Sequence, residues 1–201
     1  VSSVDVSLDG RRAVSAAEDQ TVRLWSLPSL EEERTIVLPA TASCVALAQD
    51  GRQLVAGSVD GVVHVFQAET GRQVATFEAG ALVAGGLPVA EITFRTAAAA
   101  ASIRVMAARG DVLVGAGTVL TVEQVDKAVA AGAHYIVSPG TNRAVVERAQ
   151  EHGVLALPGA VTATEIQAAL ALGRTTVKFF TAGASGGSKA ISALAAPFGD
   201  V

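Results

Sequence analysis

The sequence has few aromatic residues, a single cysteine and no long apolar run. The last two of these shortages each exclude a class of protein. Cys44 has no second cysteine with which to form an internal disulfide, which fits a reducing compartment. The uncharged runs end after about 15 residues, whereas a helix that spans a membrane needs about 20. Half of the 201 residues are hydrophobic, which is enough to bury a core. We therefore expect a soluble, cytoplasmic protein without a membrane segment.

Lysine is also scarce, and charge is spread unevenly along the chain. Residues 1–80 contain no lysine and have a net charge of −5, whereas residues 81–201 contain all three lysines and have a net charge of +1. Neither part is basic enough to predict nucleic-acid binding. The change in composition near residue 80 predicts a boundary between one domain at residues 1–79 and another at residues 80–201.

The first domain repeats itself at an offset of 41 residues. Under this shift Asp19 falls on Asp60, and Trp25 falls on Phe66. A period near 40, with short alternating strands and Asp-Gly turns, predicts the four-stranded blades of a propeller. Residues 19–25 resemble the end of a WD repeat, and the later copy resembles a second one. The resemblance implies a scaffold that binds a protein partner.

Two blades leave two interpretations open. A closed propeller contains about four to eight blades, so two blades alone leave a sheet face uncovered. The first domain is then either a platform for protein interaction or the remnant of a longer array of repeats. Because two blades alone do not close a propeller, the sequence favours the remnant of a longer array over the interaction platform.

Beyond residue 80 the pattern changes to alternating strands and helices. Five candidate strands follow one another at intervals of about 20 residues, at residues 89–95, 111–115, 135–138, 154–157 and 176–180. The alanine-rich segments between them carry helix start signals, including capping boxes at residues 121–124 and 162–165. This alternation predicts βαβ units and a parallel sheet, with any chemistry at the carboxyl ends of the strands.

Three charged residues stand out on these candidate strands. Lys178 lies among apolar and aromatic neighbours, where desolvation disfavours the ammonium and makes the amine a usable nucleophile, as a Schiff base requires. The alternative is a lysine whose stem lies on apolar surface while its head reaches water. Strand alternation also places Glu91 and Arg95 on one face of the strand. Burying both charges there is costly, which suggests that they have a function in binding or catalysis.

Four short motifs make a resemblance to one family specific. Residues 91–96 read EITFRT, residues 115–120 read GAGTVL, residues 138–140 read SPG and residues 177–180 read VKFF. In this order and spacing they resemble 2-keto-3-deoxy-6-phosphogluconate (KDPG) aldolase and the related 4-hydroxy-2-oxoglutarate (KHG) aldolase. The resemblance covers residues 81–201. It implies an α/β fold, an incomplete (β/α)8 TIM barrel with about five βα units, after the all-β propeller-blade-like repeats.

The resemblance also implies a role for each matching residue. In a class I aldolase of this kind, Lys178 forms a Schiff base with pyruvate or with the substrate ketone, and Glu91 is the general acid and base. Arg95 and Thr118 hold the carboxylate of the pyruvyl unit, and Pro139 borders the pyruvate pocket. The expected partners are pyruvate with an aldehyde, or a 2-keto-3-deoxy acid, and the family implies a homotrimer. No metal or other cofactor is expected.

Other interpretations stand beside this one. In one of them, Glu91 is only the buried ion-pair partner of Arg95. In another, the blades form a non-enzymatic interaction module and the barrel segment is inert. A nucleotide-binding domain is disfavoured, because residues 115–117 lack the third glycine of the dinucleotide fingerprint. A full barrel has eight strands, so we expect a fragment or an artificial join of two unrelated modules. The sequence leaves open whether this chain is active.

Overall fold

The computed structural model describes residues 1–48, 50–95, 97–199 and 201, which form two compact units. The first unit contains residues 1–114 and 131–133, and the second contains residues 115–130 and 134–201. This division by contacts lies further along the chain than the change in composition near residue 80. The prediction of two domains, residues 1–79 and 80–201, rests on the change in sequence pattern near residue 80, and it stays a prediction.

Two antiparallel four-stranded sheets, called blade 1 and blade 2, form most of the first unit. Blade 1 contains β1 (Ser3–Val6), β2 (Arg12–Ala16), β3 (Thr21–Ser26) and β4 (Glu31–Val37), paired in that order. Blade 2 contains β5 (Ala42–Leu47), β6 (Gln53–Ser58), β7 (Val62–Gln67) and β8 (Gln73–Glu78) in the same arrangement. The strands that the 41-residue repeat predicts are confirmed.

The first turn of each blade is built in the same way. The Asp9 carboxylate accepts a hydrogen bond from the backbone N–H of Arg11, and Asp50 accepts one from Arg52, both at 3.0 Å. Gly10 follows Asp9 with a φ of 67°, a left-handed conformation that glycine adopts without steric cost. The predicted Asp-Gly hairpin turns are therefore confirmed.

The two blades pack face to face through an aliphatic core. Its buried residues are Val14, Ala16, Val22, Leu24, Ile36 and Leu38 of the first repeat, and Ala42, Val45, Leu47, Leu54, Ala56, Phe66 and Ala68 of the second. Full burial of a large apolar side chain stabilises a fold by about 1.5 to 3 kcal/mol. Burial of these side chains stabilises the first unit.

The segment that follows blade 2 covers the other face of that blade. It contains α1 (Ala79–Ala84), β9 (Val89–Thr93) and α2 (Ala99–Ala107). α2 buries Ile103, Val105 and Met106 and packs on β5 and β6. Gly57 of β6 permits the close approach, because a Cβ there would lie 2.9 Å from Val105 Cγ1. This packing is the reason why β9 and α2 belong to the first compact unit.

The second unit alternates strands and helices. β10 (Leu113–Gly117) leads into it, and it continues through α3 (Val122–Ala130), β11 (Tyr135–Val137), α4 (Arg143–Glu151), β12 (Leu155–Leu157), β13 (Gly159–Ala160), α5 (Ala163–Ala171), β14 (Lys178–Phe179) and α6 (Gly187–Ala195). β10, β11 and β12 pair in parallel, as do β13 and β14. The predicted alternation of βα units is confirmed.

Two helices of this unit begin at the predicted capping boxes. Before α5, Thr162 Oγ1 accepts from the backbone N–H of Glu165 (3.3 Å), and Glu165 Oε2 accepts from the N–H of Thr162 (2.9 Å). Before α3, Thr121 Oγ1 accepts from the N–H of Gln124 (3.3 Å), but the Gln124 side chain accepts from Leu120 instead of Thr121. The first box is confirmed, and the second has its return bond shifted by one residue.

Removing the α5 cap is expected to destabilise the second unit. Thr162→Ala leaves the Glu165 N–H without its cap, so we expect the free energy of unfolding to fall by about 1 kcal/mol. Thr164→Ala changes an exposed threonine inside the helix and serves as the matched control. Urea denaturation followed by circular dichroism compares the two, and equal losses would contradict the role of the cap.

The same cap predicts a pH dependence of stability. The backbone N–H of Val161 and the hydroxyl of Thr162 donate to Glu165 and hold the pKa of its carboxyl below the ordinary value of 4.5. A lowered pKa in the folded state stabilises the fold above pH 4.5, and this stabilisation is lost as the pH falls through the lowered pKa. We expect the stability difference between the wild type and Glu165→Ala to shrink over that acidic range. Urea denaturation at a series of pH values measures it, and a constant difference would contradict this origin.

Candidate active site

Lys178 lies on β14, the last strand of the second unit. It pairs in register with Gly159 of β13, and its side chain is half-buried. The Nζ atom lies 5.1 Å from the centroid of the Phe180 ring. An aromatic face attracts a cation at this range, so the ring helps to fix the position of the amine. The environment of Lys178 is intermediate between an enclosed amine and a solvated one.

Backbone hydrogen bonds connect the neighbouring strand ends of this unit in a row. They run from Val119 N–H to Val137 O (3.1 Å), from Ser138 N–H to Leu157 O (3.2 Å) and from Lys178 N–H to Pro158 O (2.9 Å). The strands are parallel, so their carboxyl ends meet at one edge. The row therefore holds Thr118, Pro139 and Lys178 at the same edge of the second unit.

Gly159 brings the strand of Lys178 against Pro139. A Cβ on Gly159 would overlap the carbonyl group of Pro139, so a residue with a side chain does not fit there. The Thr141 hydroxyl donates to the Gly159 carbonyl at 3.0 Å and fixes the approach. Pro139 and Lys178 are thus both neighbours of Gly159. The predicted role of Pro139 at the border of a pyruvate pocket stays a prediction.

Filling this contact is expected to displace the site. In Gly159→Ala the new methyl group forces β13 away from Pro139, and overpacking of this kind costs about 1 to 3 kcal/mol. Gly140→Ala is the matched control, since a Cβ there would meet no atom within 4 Å. Thermal unfolding of both variants measures the effect, and equal melting temperatures would show that the contact is not tight.

Thr118 has an unusual backbone conformation. Its φ of 57° lies in the left-handed region, which costs a residue other than glycine roughly 1 to 2 kcal/mol. Threonine is β-branched, which makes the conformation rarer still. Strain of this kind often marks a residue that is held in place for a function. The predicted role of Thr118 in binding a carboxylate offers such a function.

Glu91 and Arg95 lie in the first unit, on β9 and just after it. Glu91 lines a cavity of about 420 Å³ together with Ile92, Thr93 and residues of blade 2. Both Glu91 and Arg95 are exposed, whereas Ile92 and Thr93 are partly covered. Because both residues are exposed, an ion pair between Glu91 and Arg95 would not be a buried one, and the alternative of a buried pair is wrong.

Of the five predicted site residues, Thr118, Pro139 and Lys178 lie at strand ends of the second unit. Glu91 and Arg95 belong to the other unit, and the convergence of all five on one pyruvyl group stays a prediction. Within the described residues, no group of three or more His, Cys, Asp or Glu side chains could hold a metal ion. None of the described helices is both long and apolar enough to cross a membrane.

Two residues of the site edge did not emerge from the sequence as site residues. Gly159 matters through the close approach that it permits, and the sequence offers only a glycine after a proline as a signal. Phe180 matters through its ring beside Nζ, and the sequence offers it only as the last residue of the VKFF motif. Neither role can be predicted without the pairing of β13 with β14.

Two family profiles match parts of this chain. The profile of the KDPG and KHG aldolase family matches residues 58–201, and the profile of the WD domain, G-beta repeat, matches residues 1–26 and 34–67. The 2-dehydro-3-deoxy-phosphogluconate aldolase of Treponema pallidum (strain Nichols) is 51% identical over 121 residues, which are 60% of this chain and 58% of that protein. The KHG/KDPG aldolase of Escherichia coli (strain K12) is 41% identical over 124 residues, 61% of this chain and 58% of that protein. The chain thus spans somewhat less than 60% of the length of these relatives.

Solved structures agree with this result. The 2-keto-3-deoxy-6-phosphogluconate aldolase of Zymomonas mobilis ZM4 with 3-phosphoglycerate superposes with a TM-score of 0.59 at 40% identity, covering 61% of this chain and 59% of that one. The Legionella pneumophila KDPG aldolase, with pyruvate captured at low pH as a covalent carbinolamine intermediate, gives 0.59 at 37% identity, covering 61% and 60%. The predicted incomplete TIM barrel after the blades is confirmed. The chain belongs to the KDPG and KHG aldolase family and carries WD-type repeats before its barrel segment.

Proposed function

We propose that the chain is a class I aldolase that cleaves or forms a 2-keto-3-deoxy sugar acid or 4-hydroxy-2-oxoglutarate, with Lys178 as its Schiff-base residue. The observation that carries the proposal is the position of Lys178 at the edge of the second unit, paired with Gly159 beside Pro139. The 51% identity to a 2-dehydro-3-deoxy-phosphogluconate aldolase supports the choice of substrate class. A lysine amine is a better nucleophile toward a ketone where it is partly desolvated, and Lys178 is half-buried beside an aromatic ring.

The proposed reaction proceeds through an imine. The Lys178 amine attacks the C2 ketone of the substrate, and proton transfer gives a neutral carbinolamine. Loss of water leaves a protonated imine, which accepts the electron pair of the bond between C3 and C4. Removal of the proton from the C4 hydroxyl breaks this bond, releases an aldehyde and leaves an enamine. Protonation at C3 and hydrolysis of the imine then release pyruvate and restore the amine.

The remaining site residues have supporting roles in the proposal. Glu91 moves the protons of carbinolamine formation and of the aldol step, as a positioned carboxylate does in general acid–base catalysis. The Arg95 guanidinium binds the substrate carboxylate with two parallel hydrogen bonds. Thr118 adds a donor to the same carboxylate, and Pro139 borders the pocket. The homotrimer that the family resemblance implies stays a prediction, which analytical ultracentrifugation tests.

Reductive trapping tests the proposal. Borohydride in the presence of pyruvate is expected to add one reduced pyruvyl group to the chain, and peptide mass spectrometry should locate it on Lys178. Lys178→Ala is expected to lose the adduct. Lys189→Ala, which removes an exposed lysine of α6, is the matched control and should keep it. An adduct that survives Lys178→Ala, or no adduct on the wild type, would contradict the proposal.

A second candidate function, protein interaction through the blades, is favoured by the WD profile match over residues 1–26 and 34–67. It concerns the first unit and does not compete with catalysis by the barrel segment. Its test is binding of a partner in a variant that cannot form the Schiff base. Binding by Lys178→Ala at wild-type affinity would support this function, and a failure of the wild-type chain to bind would contradict it.

A further inference from the structure

A side chain joins the loop between β11 and α4 to β13. Thr141, in this loop, donates a hydrogen bond from Oγ1 to the carbonyl oxygen of Gly159 at 3.0 Å, across 18 positions of the sequence. Thr141 is half-buried, and Gly159 is buried. A buried carbonyl without a donor costs free energy, so the Thr141 hydroxyl stabilises β13 where it lies.

The Gly159 carbonyl can accept from this loop because it points away from β14. In the parallel pair of β13 with β14, Lys178 lies opposite Gly159, and its N–H donates to the residue before Gly159, Pro158, at 2.9 Å. The N–H and C=O groups of Gly159 then face the other side of its strand. The Thr141 hydroxyl supplies a donor on that side.

The same loop limits how closely β13 approaches it. A Cβ on Gly159 would overlap the carbonyl oxygen of Pro139, which comes two residues before Thr141. Contact with Pro139 stops β13 from moving closer, and the hydrogen bond from Thr141 stops it from moving away. The two contacts together fix the distance between β13 and the loop.

Other bonds hold the loop itself in place. The Ser138 hydroxyl donates to the Gly140 carbonyl at 2.8 Å. Asn142, the N-cap of α4, accepts from the backbone N–H of Ala144 at 3.0 Å, and its amide donates to the carbonyl of Leu120 at 3.4 Å. These bonds connect the loop to α4 and to the segment after β10, so the loop can serve as an anchor for β13.

The position of β14 depends on that of β13. β14 contains only Lys178 and Phe179, and among the described residues it forms a two-stranded sheet with β13. A shift of Gly159 therefore moves the backbone of Lys178, and the amine at the end of its side chain moves with it. Reaction rates depend steeply on such placement, since a misplacement of about 1 Å can cost a hundredfold.

We propose that Thr141 is a positioning residue for Lys178 and acts through Gly159. Its hydrogen bond keeps β13 against the loop, β13 holds β14, and β14 directs the amine toward the substrate ketone. In this role Thr141 touches neither the substrate nor the reacting atoms. The inference rests on the proposed function, in which Lys178 forms the imine.

The test measures the rate of imine formation in the full chain. The protein is mixed with pyruvate at a series of concentrations, and borohydride is added at successive times to trap the imine. Thr141→Val keeps the shape of the side chain and removes the donor, so the rate at saturating pyruvate is expected to fall on the order of tenfold, with the half-saturating concentration unchanged. Thr141→Ser keeps the hydroxyl and should restore the rate to within about twofold of the wild type.

Gln150→Met is the matched control. Gln150 lies at the other end of α4, and its amide donates to the Leu172 carbonyl at 2.9 Å. This variant also removes a hydrogen bond from a side chain to a backbone carbonyl of the second unit, and it should keep the wild-type rate. If Thr141→Val does not fold, Thr141→Cys replaces it, because a thiol is a weak donor, and its rate is expected to be about threefold lower than that of the wild type.

The outcomes separate this inference from the proposed function. A wild-type rate in Thr141→Val or Thr141→Cys would overturn the inference and leave the proposed function intact. Equal losses in Thr141→Val and Thr141→Ser, or an equal loss in Gln150→Met, would also overturn it, because the rate would then not depend on the hydroxyl beside Gly159. A wild type that forms no adduct on Lys178 would overturn the proposed function and this inference together.

Discussion

Replacement of Lys178 by arginine is expected to lower the turnover of a 2-keto-3-deoxy acid by roughly 10⁴-fold or more, because the step that forms the imine is lost. Arginine keeps the positive charge and the aliphatic stem beside Phe180. Its guanidinium stays protonated and is not a nucleophile. The variant therefore separates the charge of Lys178 from its reactivity. A lysine that served only to bind an anion would tolerate the change.

Pyruvate release, coupled to its reduction by lactate dehydrogenase and NADH, measures this effect. Lys189→Arg makes the same change at an exposed position of α6 and is expected to keep the turnover of the wild type. Circular dichroism should show that both variants are folded. A Lys178→Arg variant that retains turnover within about tenfold of the wild type would contradict the imine mechanism.

Replacement of Glu91 by glutamine is expected to slow imine formation and bond cleavage by about 10²- to 10⁴-fold, the usual contribution of a general acid or base. Glutamine keeps the size and hydrogen-bonding ability of the side chain but neither gives up nor accepts a proton at neutral pH. The reduced pyruvyl adduct should still form after long incubation, since the amine of Lys178 is unchanged. Slow formation with an unchanged final yield is the expected signature.

Quenched-flow mass spectrometry of the borohydride adduct gives both the rate and the yield. Glu78→Gln, at an exposed glutamate of β8 in the same unit, is the matched control. Glu91 and Lys178 belong to different compact units. This experiment therefore also tests whether Glu91 acts on the pyruvate that binds to Lys178. An unchanged rate in Glu91→Gln would show that it does not.

Local features of both segments could be predicted from the sequence because local chemistry decides them. Asp9 and Asp50 bind the backbone two residues later, so an Asp-Gly step is enough to predict a turn. Thr162 and Glu165 cap a helix through bonds that span only three residues. Repeats and motifs therefore predicted the blades, the helices and the order of the strands.

Long-range packing could not be predicted in the same way. The apolar stripe of α2, with Ile103 and Val105, indicates a buried helix, but nothing in its sequence names blade 2 as the surface that it covers. Strand alternation placed Glu91 on a face with Arg95, and the expectation that burial makes these charges costly was wrong because both are exposed. Exposure depends on which elements cover β9, and that is decided by residues far along the chain.

A crystal structure of the chain after borohydride reduction with pyruvate tests most directly whether one site contains all of these residues. We expect continuous electron density from Lys178 Nζ to C2 of the pyruvyl group. The Arg95 guanidinium should lie about 3 Å from the pyruvyl carboxylate, and the Glu91 carboxylate should reach the reduced nitrogen directly or through one water. An adduct on Lys178 with Glu91 and Arg95 turned toward solvent elsewhere, or an adduct on another lysine, would contradict the proposed site.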